Sequence, residues 1–512
     1  MAAVTQRETD RRVPDELDLR DGIGPFIFDP IQGEIDALTR ARLARDQGGL
    51  VCAPTGFGKG VLVCAAVAAI QERTRQAGSA PGARGRALVV VPSVDLIGQN
   101  LERLHEAGVI GDDGRQRVGV LCQASRRPKW PGRTDVCAQI SARADIVIAT
   151  QDKVRDLFKT ESGRNQLRDF DGVVFDEAHR ALADNIGRAM SSLNVPLIGY
   201  TATPFREDGR DVVALFGGEA GLIRQVTRAE AIEKGRIVPG RIVGSARSEF
   251  RELVGREVSW AIDREIEGHV ASGKSLDQAS ERAMGRFFRE DAGPEEQTVA
   301  RAMVQASVTM WGRYLSDRKT FVHAENVNHA RALFEGFAGA RRDGRPLNVA
   351  SIDGTEVRIS RGGGPIEIYR GTEAANKRQQ VIKGAREGDY DVITNCQVFR
   401  EGIDVPRFSA SINACQNKSL GAALQSVFGR GARSFKDEET GEKKVDHLIL
   451  DFGDTTARMA LAESRMKAGE IDMRGVDALA HRPEFLADAI GAIDGDRQEL
   501  DQALASYLED LS

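Results

Sequence analysis

Leu50-Val51-Cys52-Ala53-Pro54-Thr55-Gly56-Phe57-Gly58-Lys59-Gly60-Val61 is the stretch on which the fold turns. Leu50 to Cys52 is apolar, glycines at 56 and 58 make a turn, and an apolar helical pattern begins at Val61. Strand, glycine-rich turn and helix is an arrangement that cradles phosphate. Backbone N–H groups line the turn, the helix N-terminus adds positive potential, and a lysine reaches the outer phosphates. Gly56 and Gly58 allow close backbone approach, and Lys59 stands at the lysine position. The next residue normally brings a Ser or Thr hydroxyl to a magnesium ion; here it is Gly60. Alone, such a turn is weak evidence and needs a partner.

Val173-Val174-Phe175-Asp176-Glu177-Ala178-His179 is that partner. A buried apolar strand ending in paired carboxylates puts Asp176 at the carboxyl edge of a sheet, where open α/β folds bind ligands. Asp176 is expected to hold magnesium, usually through water, and Glu177 to orient and deprotonate the attacking water.

Similar apolar runs recur at 49–52, 87–91, 145–148, 172–175 and 196–199, each followed by helical periodicity. Unbroken apolar runs bounded by Gly, Asp and Pro suit strands buried on both faces of a parallel sheet. A second set at 320–322, 391–393, 410–412 and 447–450 reads as another such sheet. The charged segment between the sets carries Ile262, Ile266 and Val270 at helical spacing, and the tail after Asp454 is also helical in pattern. The fold class is therefore α/β with two tandem parallel-sheet domains, a helical insertion and a helical tail. The expected boundaries are a polar extension at 1–24, domain one at 25–240, helices at 241–314, domain two at 315–455 and the tail at 456–512.

Bulk properties narrow the class. A chain of 512 residues exceeds one ordinary core. A net charge of -5 argues against a protein that coats DNA with a uniform cationic surface, yet leaves room for a local basic cleft. The six cysteines form no C-x-x-C pair, so reduced, mostly buried thiols are expected and no zinc or iron–sulfur site. No run approaches the roughly 20 apolar residues that span a bilayer, and Met1–Arg20 lacks a signal-peptide core, so a cytoplasmic protein without membrane contact is expected.

With these motifs in order, the chain resembles a superfamily 2 helicase of the DEAH-box, type III restriction-like branch over most of residues 25–455. The resemblance implies two RecA-like domains and, as cofactors, ATP with Mg2+ bound by Pro54, Thr55, Gly56, Phe57, Gly58, Lys59 and Gly60, with Gln32 reading adenine. Lys59, Asp176 and Glu177 are then catalytic, joined by Arg430 and Arg433 of Gly429-Arg430-Gly431-Ala432-Arg433, which stabilise charge at the γ-phosphate. Gly402 and Asp404, in Arg400-Glu401-Gly402-Ile403-Asp404, would join nucleotide to nucleic acid. Thr201 and Thr203, with His179, would couple hydrolysis to strand movement. Pro92, Ser93, Gln99, Thr150, Gln151, Asp353, Gly354, Thr394 and Asn395 fall where the family touches nucleic acid. ATP binding to both lobes favours a closed state that hydrolysis releases, and a bound strand is stepped along.

Three departures stand out. Gly60 removes a magnesium ligand, which water or Thr55 would replace, so weakened hydrolysis is expected and Gly60→Thr is expected to keep or raise it. The family's glutamine before the arginine motif falls on Ser426, with Gln425 one residue early, a weak nucleotide contact. The stretch 356–370 is longer than usual, and the alternation Val357, Ile359, Ile366, Ile368 around Arg361-Gly362-Gly363-Gly364-Pro365 predicts a hairpin, either a solvated one or one that parts strands.

Arg126, Arg127, Lys129 and Trp130 either grip and stack on nucleic acid or form a solvated loop, and His323 either lines the track or is structural. The leading expectation is a monomeric DNA helicase or translocase for repair, recombination or replication, DNA being favoured over RNA as partner. The alternatives are the motor subunit of a defence complex with its nuclease on another chain, and an ATP-binding nucleic-acid clamp with weak hydrolysis. No D…(D/E)-x-K nuclease pattern follows the second domain, and about 58 residues after Asp454 are few for a further domain.

Overall fold

The computed structural model describes residues 20–76, 85–111, 118–122, 144–182, 186, 190, 193–204, 212–274, 276–396, 405–415, 427–453, 455–468, 487–488, 490–491 and 497–511. They fall into two compact units, one drawn chiefly from residues up to Gln225 and the other chiefly from Val226 onward.

A small antiparallel hairpin, β1 (Gly22–Ile23) and β2 (Phe26–Ile27), opens the first unit. Its main sheet has seven strands: β3 (Gly49–Cys52), β4 (Ala87–Val91), β5 (Val118–Leu121), β6 (Ile146–Thr150), β7 (Gly172–Asp176), β8 (Leu197–Thr201) and β9 (Leu222–Gln225). Their order is β5-β6-β4-β7-β8-β3-β9 and every pairing is parallel. β3, β4, β6, β7 and β8 are buried at every residue, which is why they read as unbroken apolar runs. The register sets Cys52 beside Thr201, Asp176 beside Tyr200 and Val91 beside Thr150, so five strands end level along one edge. Tyr200 donates its hydroxyl to Leu62 O at 3.1 Å, pinning the helix Lys59–Gln76 to the sheet.

The second unit carries an eight-stranded sheet built from β10 (Gly240–Ile242), β11 (Thr320–His323), β14 (Val349–Ile352), β15 (Glu356–Ser360), β16 (Glu367–Arg370), β17 (Val392–Asn395), β18 (Ala410–Asn413) and β19 (His447–Asp451). The order is β10-β19-β18-β11-β17-β14-β15-β16. The first six run parallel and the last two antiparallel. The hairpin expected from the alternation at 357–368 is therefore β15–β16, and it extends the sheet instead of standing apart from it. β10, ahead of the helices, is a strand that the sequence reading does not name; it joins the sheet through β19. Between β11 and β14, β12 (Arg341–Arg342) and β13 (Arg345–Pro346) pair around Asp343 and Gly344, whose φ values of +48° and +79° are those of a tight hairpin turn.

The charged segment is helical as expected, with helices Ala246–Val254, Arg256–Ala271, Leu276–Phe287 and Pro294–Tyr314. Their apolar faces join the core under β11, β17 and β18. The tail forms helices Thr455–Lys467 and Arg497–Leu511, and Glu499 accepts a hydrogen bond from Gly244 N at 2.5 Å, tying it back beside β10. No described helix is long and apolar enough to cross a membrane. The five described cysteines, Cys52, Cys64, Cys122, Cys396 and Cys415, are buried.

Trp311 anchors the helical segment. It is fully buried, its Nε1 donates to Thr320 Oγ1 at 3.1 Å, and its ring meets Phe337 edge-on at 5.9 Å. Trp311→Ala is expected to cost about 3–5 kcal/mol. Chemical denaturation read by far-UV circular dichroism checks this, and a loss below roughly 1 kcal/mol contradicts it.

Candidate nucleotide site

The glycine-rich turn leaves β3 at the edge where its neighbours also end. Ala53 N donates to Thr201 O at 2.9 Å, and Phe57 N donates to Pro54 O at 3.2 Å, closing the turn. Gly56 and Gly58 have φ of +95° and +101°, left-handed values that side chains resist, so both must be glycine. Lys59 begins the helix Lys59–Gln76 and donates Nζ to Ala53 O at 3.0 Å, a lysine folded back over its own turn.

Asp176 ends β7, buried, and accepts from Asn100 Nδ2 at 3.4 Å. Burial, then the neighbouring Glu177, raise its proton affinity above the ordinary carboxylate range; Arg103, Asn100 and Lys59 pull the other way. A carboxylate held against burial and a like charge favours an incoming cation. Magnesium asks for one or two carboxylates and keeps water and phosphate oxygens for the rest, so Asp176, with Glu177 beside it, fits that ion. Magnesium at this place would neutralise phosphate charge. Glu177 has φ of +53°, a left-handed geometry that costs about 1–2 kcal/mol in a residue with a side chain. Its carboxylate lies 3.6 Å from His179 Nδ1, and the same nitrogen lies 3.1 Å from Thr201 Oγ1. Thr201 Oγ1 in turn donates to Thr203 O at 2.9 Å and accepts from Thr203 N at 3.1 Å. His179 thus stands between Glu177, just past the end of β7, and Thr201, at the end of β8.

Gln32 is brought to the same turn by a capping box on the helix Pro30–Leu43. Asp29 accepts from Gln32 N at 2.9 Å, and Gln32 Oε1 accepts from Asp29 N at 3.3 Å. A Cβ at Gly58 would lie 2.6 Å from Gln32 Nε2, so one end of this amide holds the cap and the other faces the loop. Two neighbours are missing from the sequence reading. Asn100 is fully buried and braces Asp176 while donating to Leu96 O at 2.9 Å. Arg103 fills the space beside Gly60: a Cβ there would lie 2.8 Å from its Cζ and 3.1 Å from its Cδ. Neither residue belongs to a sequence motif, and both act from the helix Val94–Glu106, whose faces point at the site through folding alone.

Ser93 caps that helix without a side-chain bond, with Pro92 before it and Gln99 one turn and a half along, all beyond the end of β4. Thr150 ends β6, and buried Gln151 starts the next helix. In the second unit, Asp353 Oδ1 accepts from Thr355 N at 2.6 Å and Glu356 N at 2.8 Å, its Oδ2 lies 3.4 Å from Arg331 Nε, and Gly354 is exposed. Thr394 donates to Ala330 O at 3.1 Å and Asn395 to Val322 O at 3.1 Å, so both side chains serve the sheet. His323 is buried with Nδ1 3.5 Å from Asn395 Nδ2. Gly402, Asp404, Gln425, Arg126, Arg127, Lys129 and Trp130 lie outside the described residues.

Arg430 is buried and Arg433 partly so, on a turn fixed by the strand-like segment before β10: Val238 N donates to Ala432 O at 2.6 Å, and Ser434 Oγ to Arg236 O at 3.2 Å. Lys444 threads this region, donating to Pro406 O at 3.0 Å, Phe408 O at 2.6 Å and Gly431 O. Burial and then Arg433 push its amine down to about 7, and three carbonyls receive its three donors. Gly431 has no room for a side chain, because a Cβ would fall on the imidazole of fully buried His447, whose Nε2 pairs with Ser411 Oγ at 2.9 Å. Gly431→Ala is expected to cost about 1–3 kcal/mol through overpacking. A double-mutant cycle with His447→Ala, read by urea unfolding, should show the two costs to be non-additive; simple additivity refutes the contact.

Residues 31–212 match the family model for the DEAD/DEAH box helicase domain. Among curated proteins, the chain is 24% identical over 343 residues to a Schizosaccharomyces pombe protein, irc3, named as a mitochondrial ATP-dependent helicase, covering 64% of this chain and 45% of that protein. It is 29% identical over 143 residues to UvrABC system protein B of Ralstonia nicotianae, covering 27% and 20%. The chain thus spans less than half the length of these relatives. Its fold is similar to that of a DNA-bound ATP-dependent Type ISP restriction-modification enzyme, LlaBIII, with a TM-score of 0.50 at 14% identity over 95% of this chain and 34% of that one. Residues 31–212 are thus similar to a DEAD/DEAH box helicase, in a two-sheet fold of the RecA-like kind.

Proposed function

We propose that this protein is an ATP-hydrolysing nucleic-acid motor of superfamily 2, acting on DNA. One observation carries the reading most strongly. Lys59 on its glycine turn, the Asp176–Glu177 pair and the His179–Thr201–Thr203 relay meet at one end of one parallel sheet. Phosphate, metal and water activation need those three components together, and the helicase-domain match over 31–212 supports the same reading. In this reading Lys59 binds the outer phosphates and Asp176 the metal. Glu177 takes the proton of the attacking water, and the relay through His179 and Thr201 links its position to the end of β8. Arg430 and Arg433 are the cations that stabilise charge on the transferred phosphoryl group. Pro92, Ser93, Gln99, Thr150 and Gln151 carry the nucleic-acid track on the first unit.

The decisive measurement is phosphate release by the full chain with ATP and Mg2+, alone and with single-stranded DNA, forked DNA, four-way junctions or RNA. Stimulation by DNA supports the proposal, and release that only RNA stimulates moves the substrate. No release with any nucleic acid, while ATP still binds, favours a clamp over a motor. Glu177→Gln is expected to lower turnover by about 10²–10⁴-fold with ATP affinity retained, as loss of a general base should. Equal loss of binding and turnover would remove Glu177 from that role.

A further inference from the structure

The missing hydroxyl at position 60 has a structural counterpart. Gly60 lies in the first turn of the helix Lys59–Gln76, on the side that a Ser or Thr would use to reach a metal. That side is filled by Arg103, whose Cζ and Cδ stand 2.8 and 3.1 Å from where a Cβ would be and whose Nη1 is closer still. The contact falls on the flexible end of the arginine, so any side chain at 60 displaces the guanidinium. A guanidinium at a helix N-terminus opposes the local dipole, which favours anions there. Asp176 offsets part of this, since Arg103 acts on its carboxyl more strongly than Lys59 does. Arg103 comes from the last turn of Val94–Glu106, so its reach to this helix start is a matter of packing and not of sequence proximity.

We propose that Arg103 is a phosphate-contacting residue of the nucleotide site, placing a fixed charge where position 60 offers no hydroxyl to a divalent cation. The inference rests on the nucleotide reading above. A guanidinium presents paired N–H donors that match phosphate oxygens directly, where a hydroxyl acts only through the metal. The metal then depends on Asp176, water and phosphate, with a positive neighbour beside it. Nucleotide binding in this protein is accordingly less dependent on divalent cation than a serine or threonine at 60 would make it.

Equilibrium binding of a fluorescent ATP analogue, mant-ATP, to the full chain in excess Mg2+ and in EDTA tests this. Wild type binds in both. Arg103→Gln is expected to weaken binding in EDTA by about tenfold or more, the size of a lost charge-assisted hydrogen bond, and binding in Mg2+ by less. Arg103→Lys, which keeps the charge, retains much of the EDTA affinity, and Gly60→Ser with Arg103→Gln recovers affinity only in Mg2+. Thermal unfolding of each variant separates loss of fold from loss of contact. An unchanged ratio of EDTA to Mg2+ affinity in Arg103→Gln, with wild type binding, overturns the role of Arg103 alone. If Arg103→Gln does not fold, EDTA binding by Arg103→Lys weakened as far as its Mg2+ binding overturns the proposal equally. Folded wild type that binds in neither condition overturns the nucleotide reading, and this inference with it.

Discussion

A parallel sheet covered by helices on both faces leaves only the ends of its strands open to a ligand, and that constraint organises the first unit. Five strands, β3, β4, β6, β7 and β8, end within about one residue of each other because the register pairs Cys52 with Thr201, Asp176 with Tyr200 and Val91 with Thr150. Each strand releases a different group at that edge: a glycine turn, a helix start with Ser93, a helix start with Gln151, an acid pair, and a threonine relay. None of these groups needs to be near another in sequence. Close packing of Val, Ile and Leu beneath them does the gathering, and Tyr200 locks the phosphate-loop helix to it through Leu62.

Charge at the edge is balanced locally. Two adjacent acids, one of them buried, face Lys59 and Arg103, and the helix dipole adds positive potential on the side of the turn. The left-handed backbone at Glu177 is a cost that the surrounding contacts sustain. Arg180 N donates to Glu177 O at 3.0 Å, and His179 stands between the carboxylate and Thr201. Strain at a residue flanked by such a relay is consistent with a group whose direction matters more than its comfort.

Much of this was legible in the sequence, for a physical reason. Strands buried on both faces must be continuously apolar, so β3, β4, β6, β7, β8, β11, β17, β18 and β19 announce themselves, and the glycine turn within 53–60 and the acid pair within 173–179 stand out as motifs. What did not show is edge structure and support. β5, β9 and β10 lie at the ends of their sheets, and such short strands carry little pattern. Asn100, Arg103 and Lys444 reach their sites from elsewhere in the chain; a lone Arg or Lys on a helix or loop reads as solvated until the fold shows what lies opposite.

The second unit shows the converse. Asp353, Thr394 and Asn395 fall at positions that suggest contact with nucleic acid, yet their side chains are committed: to the turn after β14, to Ala330 O, and to Val322 O. A buried hydrogen bond of this kind is worth about 1 kcal/mol, and leaving its partner unsatisfied costs more, so these residues are held by the fold whatever else they do. Gly354 and Thr355 beside them are exposed. In the proposed motor, backbone contacts would suit stepping along phosphates without reading bases, because they depend on the shape of the strand ends and not on a particular side chain. The side chains keep that shape.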